Sequence, residues 1–153
     1  ALAPELFDAY DEAVMAAGSA AARLAPEPPV PSHGSLRTDQ VLASDDGPVL
    51  VDLDGFCLAH PARDPANLLA YLDWRAVRGV APPAVVATAG RAFLDGYAAA
   101  RPLPGADALA VHRATAQLKI AARRFTTLAV HEWPLVPGLV ERARALLGLR
   151  PRS

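Results

Sequence analysis

The stretch SHGSLRTDQVLASDDGPVLVDLDGF, Ser32–Phe56, decides the fold. It holds two short β-favouring runs, QVLAS and PVLVDL, separated by the turn formers Asp45, Asp46 and Gly47, and this pattern predicts a hairpin. On its N-terminal side lies APEPPVP, Ala25–Pro31. Proline lacks the backbone N–H and clashes with the preceding helical turn, so this segment reads as an extended connector. Before it, PELFDAYDEAVMAAGSAAARLA places Leu6, Phe7, Tyr10, Val14 and Met15 at helical spacing with acids between them, which predicts an amphipathic helix. On the C-terminal side, RDPANLLAYLDWRAVRG carries a helix start, with Asp64 as N-cap and Pro65 at the first helical position, and a stop at Gly79. Further helices are predicted over Pro83–Ala99, over Ala106–Val130 with a break near Thr115, and over Pro137–Leu147. The expected class is α+β, mainly α: one short hairpin set on a helical body, forming a single domain over residues 1–153.

Composition narrows the classes. A chain of 153 residues can bury roughly 70% of its unfolded surface, enough for a real core. Apolar residues make up 52% and mean hydropathy is +0.18, and no apolar run approaches the ~20 residues of a membrane span. No signal peptide is read, and the single cysteine, Cys57, favours a reducing cytoplasm and reads as a small packed hydrophobe. The chain begins at Ala1, which predicts a processed, cut or partial product. Charge is uneven: eleven acids face three bases up to Leu72, and five acids face twelve bases from Asp73 onward. All the bases but Lys119 are arginine.

The chemistry lies in the spacing of four residues. His33, Ser35 and Gln40 stand at the intervals of H-x-D-x-x-x-x-N, and Asp52 follows at the end of a short run, as a metal-binding aspartate does in phosphoryl transfer. Two of the four residue types depart from that pattern. SHGSLRTDQVL, VLVDLDGF and AHPARDPANLLAYL together resemble the aminoglycoside phosphotransferase and choline kinase superfamily, whose usual form is close to HGDLHPxNVL, then IDFD or IDWE, then GDPxxDLxxxL. FLDGYAAA and LKIAARRF resemble the helical part of bacterial members. The resemblance implies a protein-kinase-like fold of which this chain is the C-terminal lobe alone. The hairpin would carry the catalytic loop and the metal strand.

The same resemblance implies ATP and Mg²⁺ as cofactors and assigns roles by position. Asp52 is the principal metal ligand, Gln40 stands for the family's asparagine, and Asp54 resembles the second acid of the strand motif. His33 is structural and Asp64 is the structural aspartate. Apart from the resemblance, Asp52 also reads as an aspartate capping a turn, and Asp54 as a partner for a nearby base. Ser35 stands where the family keeps its catalytic Asp. A serine hydroxyl carries no charge at neutral pH and is no general base without an activating partner. Asp39 is the alternative base, or else a solvated loop carboxylate. His60 replaces a motif aspartate and is expected to hydrogen-bond locally, while His112 and His131 read as isolated.

The family's nucleotide-covering N-lobe, with its phosphate-binding lysine, has no counterpart before His33, so a missing N-lobe or a protein partner is expected. Three readings follow: half of an O-phosphotransferase, inactive as this chain; a pseudokinase-type binding module; and a structural partner. Arg91, Arg113, Lys119, Arg123, Arg124, Arg142 and Arg144 are expected to give the C-terminal helices a positive surface, which disfavours a polycationic acceptor and leaves sugars, anionic metabolites or a protein open. No nucleic acid or membrane partner is expected.

Overall fold

A computed structural model describes residues 4–151. The chain runs α1 (Pro4–Ala21), β1 (Val30–Ser32), β2 (Val41–Ser44), β3 (Gly47–Leu50), β4 (Cys57–Ala59), α2 (Arg63–Val77), α3 (Pro83–Ala100), α4 (Ala106–Thr126) and α5 (Val136–Leu146). Short 3₁₀ turns lie at Thr38–Gln40, Leu53–Gly55 and Val130–Leu135. The class is α+β and mainly helical, as the sequence predicts.

The predicted hairpin is β2–β3, antiparallel, pairing Val41 with Leu50 and Ser44 with Gly47. Gly47 thus opens a strand, with Asp45 and Asp46 alone forming the turn. A second antiparallel pair, β1–β4, was not anticipated and joins Val30 to Ala59 and Ser32 to Cys57. It clasps both ends of the deciding stretch, so the loop and the hairpin project from a closed base.

The core gathers around α4, whose buried Val111, Ala114, Ala116, Leu118, Ile120 and Ala121 meet α1, α2 and α5. Ala9, Ala13 and Ala17 recur every fourth residue on α1 and form the buried stripe. Small side chains let α1 lie close against α4 and Ala143 of α5. Of the larger residues expected to define this helix's apolar face, Leu6 and Tyr10 pack against the core, while Phe7, Val14 and Met15 are exposed.

Two helix boundaries differ from expectation for local reasons. No break occurs at Thr115: its hydroxyl donates back to the Val111 carbonyl at 2.9 Å, a bond made within a helix, and α4 continues to Thr126, short of the predicted Val130. Asp64 is not the N-cap of α2; Ala62 is, and the Asp64 side chain turns to the loop. Gly79 does end the helix as predicted. With φ of 68° it donates to the Ala76 carbonyl while Val80 donates to that of Arg75, a Schellman closure.

Arginines are not simply an exposed coat. Arg113 forms a two-pronged pair with the buried carboxylate of Asp73, and Arg124 and Arg78 converge on buried Glu132. Arg144 is 3% exposed and pairs with Glu12 of α1 at 2.6 Å. Of these, only Arg144–Glu12 joins the basic part of the chain to the acidic part; the others pair with the basic part's own buried acids.

Candidate functional site

The loop between β1 and the first 3₁₀ turn is fixed from three sides. Asp64, in the first turn of α2, accepts the backbone N–H of His33 at 2.5 Å and that of Gly34 at 3.0 Å. Asn67 lies three residues on, on the same helix face, and donates to the Leu36 carbonyl at 2.7 Å. From beneath, the His33 ring is buried and its Nε2 donates to the Val51 carbonyl at 2.9 Å, tying the loop to the segment after β3. Gly34 has φ of 84°, and a Cβ there would stand 2.0 Å from the Gly55 carbonyl oxygen. Only glycine allows that contact.

Ser35 is therefore held by its neighbours. Its Oγ lies beside Gly55 and makes no hydrogen bond to a described residue. His33 is not paired with it: the ring donates through Nε2 to Val51, and its accepting Nδ1 is buried without a hydrogen bond to Ser35 or any other described residue.

Gln40 is 2% exposed. Its amide oxygen accepts the Arg37 backbone N–H at 2.8 Å, and its amide nitrogen donates to Asp52 Oδ2 at 2.5 Å. Asp52 lies just past β3, in the left-handed region with φ of 65°, which an aspartate visits more readily than most residues. The Arg37 guanidinium stands 3.1 Å from Asp39 and 3.5 Å from Asp52, and lies over the Tyr71 ring at 5.9 Å. Burial disfavours its charge, but the hydrogen bond it donates to Asp39 and the charges around it outweigh burial and raise its pKa. Asp39 is thus turned to Arg37, and Asp54 is exposed on the turn after Asp52.

Mg²⁺ demands near-octahedral oxygen ligation. Asp52 Oδ2 already accepts from Gln40, the Gln40 oxygen faces the Arg37 backbone, and a guanidinium stands at hand. As arranged, these residues do not fit the ion, and among the described residues no group of three His, Cys, Asp or Glu side chains could hold a metal.

A cleft of about 420 Å³ opens beside Ser35, between the loop, α1, α2 and α4. Tyr10, Arg37, Tyr71, Lys119 and Arg123 line it. Arg37, Asn67 and Tyr71 escaped the sequence reading. The spacing of Asn67 to Asp64 was the available signal for one of them.

A family model described as APH, phosphotransferase enzyme family, matches residues 1–103. The chain belongs to this family. No curated protein and no solved structure matches it. The phosphotransferase match takes in the loop, Asp52 and Asp64 but ends before α4 begins, so one wall of the cleft, with Lys119 and Arg123, lies outside it. LKIAARRF, read as part of the resemblance, lies beyond it as well.

The remaining candidates sit elsewhere. His60 Nδ1 accepts the Ala62 N–H, its Nε2 lies 3.6 Å from Glu27, and its ring meets that of His112 at 4.7 Å. His112 is thus not isolated. Burial, then His60 and Arg63, hold its pKa below 6.5 against the opposing charge of Glu27. His131 is exposed at the surface, and Cys57 is half-buried in β4 beside Arg63.

Proposed function

We propose that this phosphotransferase-family chain forms the acceptor-side, C-terminal lobe of a small-molecule O-phosphotransferase fold and does not transfer phosphate by itself. The supporting observation is the Ser35 hydroxyl, held in the position of the family's Asp by a fully formed loop yet lacking any activating partner. Transfer to an alcohol needs a group that orients the hydroxyl and takes its proton. Here Asp39 is bound to Arg37, and the accepting nitrogen of His33 makes no hydrogen bond to Ser35, which supports neither as a substitute.

The hairpin and the segment after it also bear on this reading. Leu42, Val49 and Leu50 on the hairpin, and Leu53, Phe56 and Leu58 in the segment after it, are each exposed, large apolar side chains of the kind that call for a cover. We infer that a nucleotide-bearing lobe covers them, carried by another segment or a partner chain. ATP, with any ion that accompanies it, belongs to that cover. No helix among the described residues is long and apolar enough to cross a membrane; free Cys57 supports a cytoplasmic setting.

The test combines Ser35→Asp with a family N-lobe fused to or mixed with the chain. Mg²⁺-dependent ADP formation is expected only from the combination. Equal activity with Ser35 retained would refute the assignment.

A further inference from the structure

We propose that the cleft beside Ser35 binds a small hydroxylated compound carrying a phosphate or carboxylate, with the anionic group held between Lys119 and Arg123. This rests on the reading of the cleft as the acceptor side of the loop. None of its twelve lining residues is acidic, while three are cationic. Lys119 and Arg123 are four apart on α4 and share a face. Both are exposed, and neither has a carboxylate partner among the described residues.

That contrast lies within one helix. Arg113 and Arg124 of α4 turn to buried acids, Asp73 and Glu132. The two cations that face the cleft are left for something else. An adjoining hollow of about 300 Å³ shares Arg37, Tyr71 and Arg123 and adds Arg75, alongside Arg78, which is paired with Glu132, and Asp39, which is paired with Arg37.

A concavity of one charge sign concentrates counter-ions, because low-dielectric walls focus its field. The volume of about 420 Å³ falls in the range of small-molecule sites. Ser35, Thr126 and Asn67 supply uncharged polar groups for a hydroxylated remainder, and Tyr71 offers a flat apolar wall. A polycationic acceptor would meet the two uncompensated charges of Lys119 and Arg123 here, Arg37 being paired with Asp39 and Asp52.

Titration calorimetry on the whole chain, without nucleotide or Mg²⁺, tests the proposal. The probes are a hexose phosphate, a hydroxycarboxylate, inorganic phosphate, ATP, a neutral hexose and an amino-alcohol. Saturable binding of the hexose phosphate or the hydroxycarboxylate is expected, weakening with salt and falling at least about tenfold in Lys119→Gln/Arg123→Gln. Whichever of the two binds tighter identifies the anionic group. Both substitutions are at exposed positions, and an unchanged thermal melt confirms that the variant is folded. Preference for the neutral hexose, the amino-alcohol or ATP, affinity unchanged in the double variant, or no saturable binding would overturn the proposal. Because no transfer is measured, failure here is separate from failure of the inactive-lobe reading.

Discussion

Asp64 and Asp73 lie on the same helix, yet each secures a different region by different means. Near the start of α2, Asp64 accepts two backbone N–H groups and shapes a loop in which Leu36 is the one buried hydrophobic side chain. Two turns further on, Asp73 is 4% exposed and binds Arg113 and Gln117 inside the helical body, next to interlocking alanine and leucine side chains. The loop is thus a hydrogen-bonded shape, and the body is a packed one. Nothing that holds the loop passes through the Ser35 side chain, so the chemistry at that position can change while the frame stays.

The largest effect expected from breaking this contrast is at Asp73. Asp73→Ala strands the Arg113 guanidinium and Gln117, and about 3 kcal/mol of global stability should go. Urea unfolding measures it, and the His33 and Gly34 amides should stay protected at concentrations well below the transition. A loss under 1 kcal/mol would show that the pair is not part of the body's support.

Asp64→Ala leaves two loop N–H groups without their acceptor and should cost about 2 kcal/mol. Hydrogen exchange at His33 and Gly34 should rise more than anywhere in α4. Uniform loosening, or none, would merge the two regions into one.

Where the regions meet, His60 at the end of β4 touches His112 of α4. The depressed pKa of His112 means that the unfolded chain takes up a proton at higher pH than the folded one. Stability is therefore full above pH 6.5 and declines as pH falls from there through the lower folded value. The groups around it, His60, Arg63 and Glu27, belong to the same contact. His112→Asn should flatten this part of the stability profile; an unchanged slope would remove the contact from the joint.

The smallest effect expected is that of the metal. Added Mg²⁺ should give no saturable response below the millimolar range, and Asp52→Asn should leave the titration unaltered. Micromolar binding abolished by Asp52→Asn would mean that Gln40 and Arg37 rearrange more readily than their hydrogen bonds imply.

Much of this arrangement could be read from local chemistry. The β2–β3 hairpin follows from a tight turn between two β-branched and leucine-rich runs, and the Gly79 stop from a position needing positive φ. The β1–β4 clasp could not be read, since three-residue strands far apart in sequence carry no local period. The buried face of α1 was misplaced because alanine, not the bulkier Phe7 or Met15, fits where helices lie close. Arg144 was expected outside, but Glu12 on another helix meets its charge, and no pattern within one helix announces such a partner. In the site, His33 and Asp64 could be named from the motif spacing, and both take part in the hydrogen bonds around the loop. Arg37 was not, because its weight comes from Asp39, Asp52 and Tyr71 converging on it in space.

The most direct measurement is a phosphoryl-transfer assay on the unmodified chain. It uses ATP and Mg²⁺ over a panel of sugars, sugar phosphates, amino-alcohols and aminoglycosides. The account predicts no Mg²⁺-dependent phosphorylated product from any acceptor, alongside a folded loop with protected His33 and Gly34 amides. Robust Mg²⁺-dependent product would contradict it and point to Asp39 or Asp54 as the working base.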